Sequence, residues 1–126
     1  MSKNKYTCDC NQINCELVSS VVSRMPCEAD TEALADFFKI IGDSTRCRII
    51  CALSISEMCV CDLANVLSMT KSSVSHQLSK MREAGAVKCR RDGKNVLYSL
   101  DDSHVAAIFS LTLTHISHKQ GEKNEN

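Results

Sequence analysis

One stretch, from Glu57 to Gly85, constrains the fold of this chain more than any other. It begins with a Cys-x-Cys pair, Cys59 and Cys61, whose thiols are candidate ligands for a metal ion. The rest has the apolar spacing of a short helix, a turn and a second helix, for which Thr70 is a suitable N-cap. The stretch therefore predicts a metal-type ligand pair joined directly to a helix-turn-helix of the kind that enters the DNA major groove.

The second helix of this motif is predicted over residues 71–84 and has two distinct faces. Val74, Leu78 and Met81 recur at positions i, i+4 and i+7, so they are expected to face the interior. Short hydrogen-bonding or basic side chains occupy the opposite face near the N-terminal end, which is the end that contacts bases in helix-turn-helix proteins. An ordinary solvated helix face has a similar composition, and this segment alone leaves both interpretations open. The candidate DNA-binding residues here are Lys71, Ser72, Ser73, Ser75, His76 and Gln77.

The segment after this helix favours the DNA-binding interpretation, because it has the pattern of a cationic β-hairpin. Apolar and polar residues alternate over residues 86–91 and 94–100, and Asp92-Gly93 between them is a strong signal for a tight turn. A cationic hairpin behind a recognition-type helix is a wing, whose predicted role is to contact DNA phosphates. The candidate DNA-binding residues at its tip are Arg90, Arg91 and Lys94.

Charge is distributed unevenly along the chain, although the formal net charge is zero. Residues 71–98 contain seven Lys or Arg against two Asp or Glu, whereas residues 1–36 contain three against six. A basic half of this kind is the electrostatic footprint of nucleic-acid binding. A solvated helix face is the alternative interpretation of the same charges.

Nine cysteines are many for a chain of 126 residues. The N-terminus has no apolar segment of the kind that a signal peptide needs, and no run approaches the roughly 18 apolar residues of a membrane span. We therefore expect a cytoplasmic protein with no membrane partner, whose thiols are reduced and available to bind metal.

The Cys-x-Cys pair is predicted to lie at or just before a helix N-terminus, where the helix dipole favours thiolate. Residues two apart do not face the same way in a regular helix or strand, so both sulfurs can bind one ion only if the backbone at Val60 is irregular. Two thiolates leave a site incomplete, and the polar N-terminal arm is the expected source of the others. Three or four thiolates suit Cd²⁺, Pb²⁺ or Zn²⁺, or arsenite with three sulfurs. The candidate thiolate ligands are Cys8, Cys10, Cys15, Cys59 and Cys61.

Apolar periodicity predicts three further helices before this stretch. One covers residues 13–25, one begins at Thr31, and one covers residues 45–55. The last of these carries Cys47 and Cys51 one turn apart. These thiols have the spacing to share a metal ion, but cysteines in a core helix more often act as small apolar fillers.

The last predicted helix starts at Asp101 or Asp102, ends near residue 119, and carries a second set of candidate ligands. Its positions 104 and 115 are 11 residues apart, so they share a face to within about 20° but lie roughly 16 Å apart. One helix cannot bring all of these ligands to one ion, whereas two antiparallel copies across a twofold axis place the start of one beside the end of the other. Two or three histidines with a carboxylate form a tetrahedral zinc set. The candidate ligands are Asp102, His104, His115 and His118.

Four short segments resemble the ArsR/SmtB family of winged-helix metal-sensing repressors. They are Glu57-Met-Cys-Val-Cys-Asp-Leu63, Ser75-His-Gln-Leu78, Gly93-Lys94 and Tyr98-Ser-Leu100. The likeness covers roughly residues 31–119, and the N-terminal cysteines point to the CadC-like branch, which responds to cadmium, lead or zinc.

This resemblance implies a homodimer that binds an operator palindrome when metal-free and releases it on binding metal, so that an efflux or metal-resistance gene is transcribed. It implies that the thiolate site joins the Cys-x-Cys pair to N-terminal cysteines, commonly of the other subunit. It also implies that the last helix carries Asp-x-His and then His-x-x-Glu or His-x-x-His, of which this chain has the second form. The arm departs from the family pattern, since its cysteines run Cys8-x-Cys10 and then Cys15 rather than as one pair. Three alternatives stay open: an arsenite- or antimonite-responsive repressor of the same fold, a thiol-redox repressor, and a metal buffer with no DNA role.

The predicted fold is therefore mainly α with a small β-hairpin, a homodimeric winged helix-turn-helix. Residues 1–28 are predicted to form a mobile arm with a short helix, residues 29–120 the DNA-binding and dimerisation domain, and residues 121–126 a disordered tail. The sequence shows no nucleophile–base set or phosphate loop, so we expect neither enzyme activity nor an organic cofactor. The expected partners are double-stranded operator DNA, a second copy of the chain and a metal-ion effector.

Overall fold

The computed structural model describes residues 5–124, and this part of the chain contains six helices and one two-stranded sheet. The helices are α1 (Cys15–Arg24), α2 (Glu28–Ile41), α3 (Ser44–Ile55), α4 (Val60–Leu67), α5 (Lys71–Glu83) and α6 (Ser103–Asn124). The strands are β1 (Val87–Asp92) and β2 (Asn95–Leu100), which pair antiparallel. The predicted class, mainly α with a small β-hairpin, is confirmed.

The chain forms two compact units, one up to Ala33 and the other from Leu34 onward. The division falls within α2, and the boundary that the sequence predicts between residues 28 and 29 stays a prediction. The first four residues of the predicted arm and the last two of the predicted tail lie outside the described residues.

Helix ends in the first half of the chain follow from capping and charge. Asn14 Oδ1 accepts a hydrogen bond from the backbone N–H of Leu17 at 3.0 Å, so α1 begins directly after Asn14, two positions later than the periodicity predicts. α2 begins at Glu28 rather than at the predicted Thr31. Glu28 and Asp30 lie in its first turn, where the helix dipole favours negative charge.

The core of the second unit is formed mainly by α3, α4, α5 and the hairpin. α5 contributes Val74, Leu78 and Met81, each 0% exposed, so their predicted inward orientation is confirmed. α3 contributes Ile49 and Ile50, which are also fully buried. Because apolar burial contributes about 25 cal/mol per Å², this stripe is what fixes α5 to the rest of the unit with its polar face outward.

The wing is the hairpin β1–β2, in which Val87 pairs with Leu100 at the base and Asp92 pairs with Asn95 at the tip. The two-residue loop is therefore Gly93-Lys94, one position later than the predicted Asp-Gly turn. Gly93 has a φ of 63°, a left-handed conformation that two-residue hairpin loops require and that glycine adopts without strain.

The last helix is longer than predicted, and its apolar residues are covered only near its start. α6 continues to Asn124, so the tail that is predicted to be disordered from Gly121 is helical that far. A glycine inside a helix costs only about 1 kcal/mol relative to alanine and does not by itself end it. Val105 is buried, whereas Leu113 and Ile116 are 51% and 44% exposed. Neither α6 nor any other helix of the described residues has the length and apolar character needed to cross a membrane.

Candidate DNA interface and metal ligands

α4 and α5 form a helix-turn-helix whose second helix presents a polar N-terminal face. In the turn, Thr70 caps α5, because its hydroxyl accepts a hydrogen bond from the backbone N–H of Ser73 at 3.1 Å. The first two turns of α5 hold all six residues of this helix that are predicted to contact DNA. The exposed ones are Lys71, Ser72, Ser75 and His76, and the half-buried ones are Ser73 and Gln77.

Gln77 is held by an arginine that the sequence analysis does not identify. Arg46 Nε donates a hydrogen bond to Gln77 Oε1 at 2.9 Å, and Arg46 Nη1 donates to the carbonyl of Ile40 at 2.9 Å. Arg48 Nη2 donates to the carbonyl of Leu67 at the end of α4, at 3.1 Å. The two arginines therefore connect α3 to both helices of the helix-turn-helix. Their partners there lie 31 and 19 residues away along the chain, and no local pattern identifies such pairs.

The three cations of the wing are not equivalent. All three are exposed, but Arg90 forms a two-pronged ion pair with Glu57, with Nε–Oε2 at 2.9 Å and Nη2–Oε1 at 2.6 Å. The hydrogen bond from Arg90 lowers the pKa of Glu57, and Glu57 in turn raises the pKa of Arg90. What the pair contributes to stability is therefore present above pH 4.5, the ordinary pKa of this carboxyl, and is lost as the pH falls through its lowered pKa.

The residue between Glu57 and the cysteine pair is itself attached to the wing. The N–H of Met58 donates to the carbonyl of Tyr98 at 3.1 Å, and the N–H of Tyr98 donates to the carbonyl of Met58 at 2.8 Å. These two bonds form an antiparallel bridge between the segment before α4 and β2. Cys59 therefore follows directly after a main-chain contact with the wing.

The substitution Glu57→Gln is expected to make DNA binding more sensitive to salt. The neutral amide holds Arg90 less tightly, so the guanidinium becomes free to contact a phosphate. Each added phosphate contact steepens the plot of log affinity against log salt by about 0.9. Fluorescence anisotropy of a labelled duplex over a salt series measures this slope. The double variant Glu57→Gln/Arg90→Gln should return to the original slope or below it, and an unchanged slope in the single variant would contradict the expectation.

Cys59 and Cys61 lie at the start of α4. Cys59 is the N-cap, with extended backbone angles (φ −79°, ψ 168°), and Val60 is the first helical residue. The backbone thus departs from regular structure at Cys59, one residue before the predicted position, and the pair does not lie within one regular element. The Cys59 sulfur makes no capping hydrogen bond, and Cys61 is exposed and lines a cavity of about 280 Å³ with Lys71. Both sulfurs are thus suited by type and setting to bind a soft cation.

The three cysteines of the N-terminal arm belong to the first unit and are exposed. Cys8 and Cys10 precede α1, and Cys15 is its first residue. The thiol of Cys10 donates to the carbonyl of Gln12 at 3.2 Å, and that of Cys15 to the carbonyl of Ile13 at 3.8 Å. Such local hydrogen bonds leave the sulfurs accessible, and their role as ligands stays a prediction.

Two of the four ligands predicted for the last helix lie together at the start of α6, Asp102 just before the helix and His104 in its first turn. Asp102 Oδ2 lies 3.3 Å from His104 Nδ1, and Asp102 Oδ1 accepts a hydrogen bond from the backbone N–H of His104 at 2.9 Å. The side-chain hydrogen bond with His104 is the main cause of a lowered pKa at Asp102. His115 and His118 are exposed further along the helix, roughly 16 and 21 Å from His104 by the helical rise. One chain therefore supplies two half-sets, and their assembly into one site stays a prediction.

Within residues 5–124, no three His, Cys, Asp or Glu side chains are grouped closely enough to hold a metal ion. Cys47 and Cys51 are half-buried on α3, and the Cys47 thiol donates to the carbonyl of Ile41 at 3.2 Å. Burial and then the neighbouring Cys51 raise the pKa of Cys47. A neutral thiol with a carbonyl acceptor fits the interpretation of this residue as an apolar filler better than a ligand.

Comparison with known proteins agrees with this architecture. The family described as "Bacterial regulatory protein, arsR family" matches residues 43–88, from the N-cap of α3 into β1. A transcriptional repressor SmtB homolog from Synechocystis sp. is 38% identical over 109 residues, which are 86% of this chain and 83% of that protein. A cadmium resistance transcriptional regulatory protein CadC from Listeria innocua is 31% identical over 109 residues, 86% of this chain and 91% of that protein.

A solved structure gives the same result for the fold. The homodimeric winged helix-turn-helix DNA-binding domain of a Mycobacterium bovis protein aligns with a TM-score of 0.71 at 22% identity, covering 79% of this chain and 94% of that one. The fold and the polar face of α5 thus define a winged helix-turn-helix protein. The chain belongs to the ArsR/SmtB family of bacterial regulatory proteins, as the sequence motifs predict, and the relatives named above are transcriptional regulators rather than enzymes.

Proposed function

We propose that this chain is a metal-responsive repressor, which binds operator DNA as a metal-free homodimer and releases it when Cd²⁺, Pb²⁺ or Zn²⁺ binds. The observation that carries the proposal is the position of the cysteine pair. Cys59 and Cys61 begin the first helix of the helix-turn-helix, and Met58 before them is hydrogen-bonded to β2 of the wing. In this proposal, a ligand that draws the two sulfurs together displaces the start of α4 and the segment that is bonded to the wing.

The thiolate site in this proposal combines Cys59 and Cys61 with cysteines from the N-terminal arm. Two sulfurs alone leave a soft ion short of the three or four that it prefers, and Cys8, Cys10 and Cys15 are all exposed. The relative named CadC, a cadmium resistance regulator, supports cadmium as one effector. Cysteines from the arm of a second copy can equally supply the missing sulfur ligands. The number of metal ions bound per dimer is the same whichever copy supplies them.

Dimerisation is supported by the apolar surface that the single chain leaves open. Leu113 and Ile116 lie three residues apart on one face of α6 and are 51% and 44% exposed, and exposed apolar groups of this kind mark interaction surfaces. The M. bovis domain of the same fold is homodimeric. Two antiparallel copies of α6 across a twofold axis cover these residues.

The same pairing of helices completes the second metal site. It brings the Asp102–His104 half-set of one copy to His115 and His118 of the other, twice per dimer. One carboxylate and two or three imidazoles suit tetrahedral Zn²⁺. We assign this set to zinc and the thiolate set to the softer ions.

Operator binding with and without metal tests the proposal. Metal-free protein is expected to bind its operator tightly, and Cd²⁺ at fixed salt is expected to weaken that binding. A complete change from 99% to 1% occupancy requires a difference in metal affinity of about 10⁴-fold between the two forms, and DNA must weaken metal binding by the same factor. Native mass spectrometry of the dimer with mixed Zn²⁺, Cd²⁺ and Pb²⁺ gives the stoichiometry and the preference. Equal operator affinity in both conditions would remove the metal switch.

A further inference from the structure

We infer that Arg46 sets the base preference of α5, because it turns the amide of Gln77 so that the oxygen faces Arg46 and the nitrogen is directed to the DNA. The inference rests on the proposed binding of DNA by α5. It concerns which base Gln77 selects, and it holds or fails independently of the metal switch.

The chemistry of the pair fixes which end of the amide faces the protein. A guanidinium has donors and no acceptor, so the amide atom beside Arg46 Nε must be oxygen. The distance from Nε to Gln77 Oε1 is 2.9 Å. The reversed amide would place the Nε2 donor of Gln77 against the Nε donor of Arg46. The rotation that exchanges Oε1 and Nε2, which costs little in an exposed glutamine, is therefore unfavourable here.

Arg46 is itself anchored at a second point. Its Nη1 donates to the carbonyl of Ile40 at 2.9 Å, near the end of α2, where helix carbonyls lack partners within the helix. One guanidinium thus joins the end of α2 to the second turn of α5. Because both bonds come from one planar group, rotation of Arg46 away from Gln77 also breaks the bond to Ile40.

The position of Gln77 makes this orientation relevant to DNA. Gln77 is half-buried at the edge of the apolar stripe of α5, directly after the exposed His76. Within the described part of the chain, no group accepts a hydrogen bond from Gln77 Nε2. The amide nitrogen is therefore the end that is left for a base.

A glutamine that reads adenine uses both ends of its amide, since the oxygen accepts from N6 and the nitrogen donates to N7. Arg46 occupies one of the two lone pairs of the oxygen and keeps the oxygen turned toward itself, so Gln77 presents mainly the two N–H groups of its nitrogen. Guanine offers two acceptors, O6 and N7, in the major groove. The structure therefore assigns Gln77 a preference for guanine over adenine at one position of each operator half-site.

Selection of binding sites from a random duplex pool, followed by sequencing, tests this assignment with the full-length protein. The position that loses its preference in Gln77→Met is the one that Gln77 reads. At that position the native protein should favour guanine over adenine by about tenfold, and Arg46→Met should raise adenine relative to guanine by a similar factor. Gln77→Glu should favour cytosine there, because Arg46 holds one carboxylate oxygen and the other accepts from cytosine N4.

Arg48→Met is the matched control, because Arg48 bonds to Leu67 rather than to Gln77, and it should leave this base preference unchanged. Thermal unfolding confirms that each variant is folded, and if Arg46→Met does not fold, Gln77→Glu and Gln77→Met decide the question. A native preference for adenine, or an unchanged preference in folded Arg46→Met, would overturn the inference. Failure of the native protein to enrich any sequence would instead count against the proposed function.

Discussion

The double variant Cys59→Ser/Cys61→Ser is expected to bind operator DNA like the native protein and to ignore Cd²⁺. Serine keeps the shape of cysteine but replaces a soft sulfur with an oxygen that binds Cd²⁺ poorly. Cys59 is the N-cap of α4 and makes no capping hydrogen bond, and serine is a preferred N-cap residue. The substitution should therefore leave α4 intact. The expected loss is the whole metal-induced change in operator occupancy, about 10⁴-fold in differential affinity if the native switch is complete.

Anisotropy of a labelled operator during Cd²⁺ titration measures this effect, and native mass spectrometry reports the metal bound per dimer. Cys27→Ser is the matched control, because Cys27 is an exposed thiol outside the proposed ligand set. It should respond to Cd²⁺ like the native protein. A full response in the double variant would move the regulatory role to other ligands, with those of α6 the next to replace.

The substitution Leu78→Ala is expected to destabilise the protein by about 2–5 kcal/mol, the range measured for large-to-small changes at fully buried positions. Leu78 is 0% exposed and lies in the middle of the α5 stripe. Domains are commonly stable by only about 5–15 kcal/mol, so this one change removes a large fraction of the total. Because the stripe also fixes the orientation of α5, operator affinity should fall as well.

Urea denaturation followed by circular dichroism measures this loss. Ser79→Ala is the matched control on the next residue, which is exposed, and it should change the free energy of unfolding by no more than about 0.5 kcal/mol. A loss below about 1 kcal/mol in Leu78→Ala would mean that the side chain is not packed in the core as described.

Apolar spacing was sufficient to predict the helices and the hairpin, because the residues that it places on one face, such as Val74, Leu78 and Met81, are the ones that the folded chain buries. It was less accurate for the first and last residues of helices and strands, because single hydrogen bonds determine where these elements begin and end. Because Asn14 caps α1, this helix starts two residues later than predicted. Because Asp92 pairs with Asn95, the wing loop lies one residue later than predicted. The extension of α6 past Gly121 was also not predicted, since a glycine is a weak stop when no competing cap follows it.

The candidate functional residues were also predicted only in part. The type and spacing of the cysteines and histidines predicted candidate ligands, because metal chemistry depends on those side chains. The pairs Arg46–Gln77 and Glu57–Arg90 were not predicted, since their partners lie 31 and 33 residues apart in sequence and belong to no repeating pattern. Only the folded chain shows that Arg90, predicted to contact phosphate, already has a carboxylate partner, and that Gln77 is fixed by Arg46.

The bridge between Met58 and Tyr98 is made by main-chain groups alone. No side chain is needed to form it, so substitution at either position preserves the connection unless proline removes the N–H donor. The path from the ligand pair to the hairpin is therefore a property of the backbone. Under the proposed function, exchange of the side chains around Cys59 and Cys61 can therefore alter the cation preference and leave this backbone connection to the wing in place.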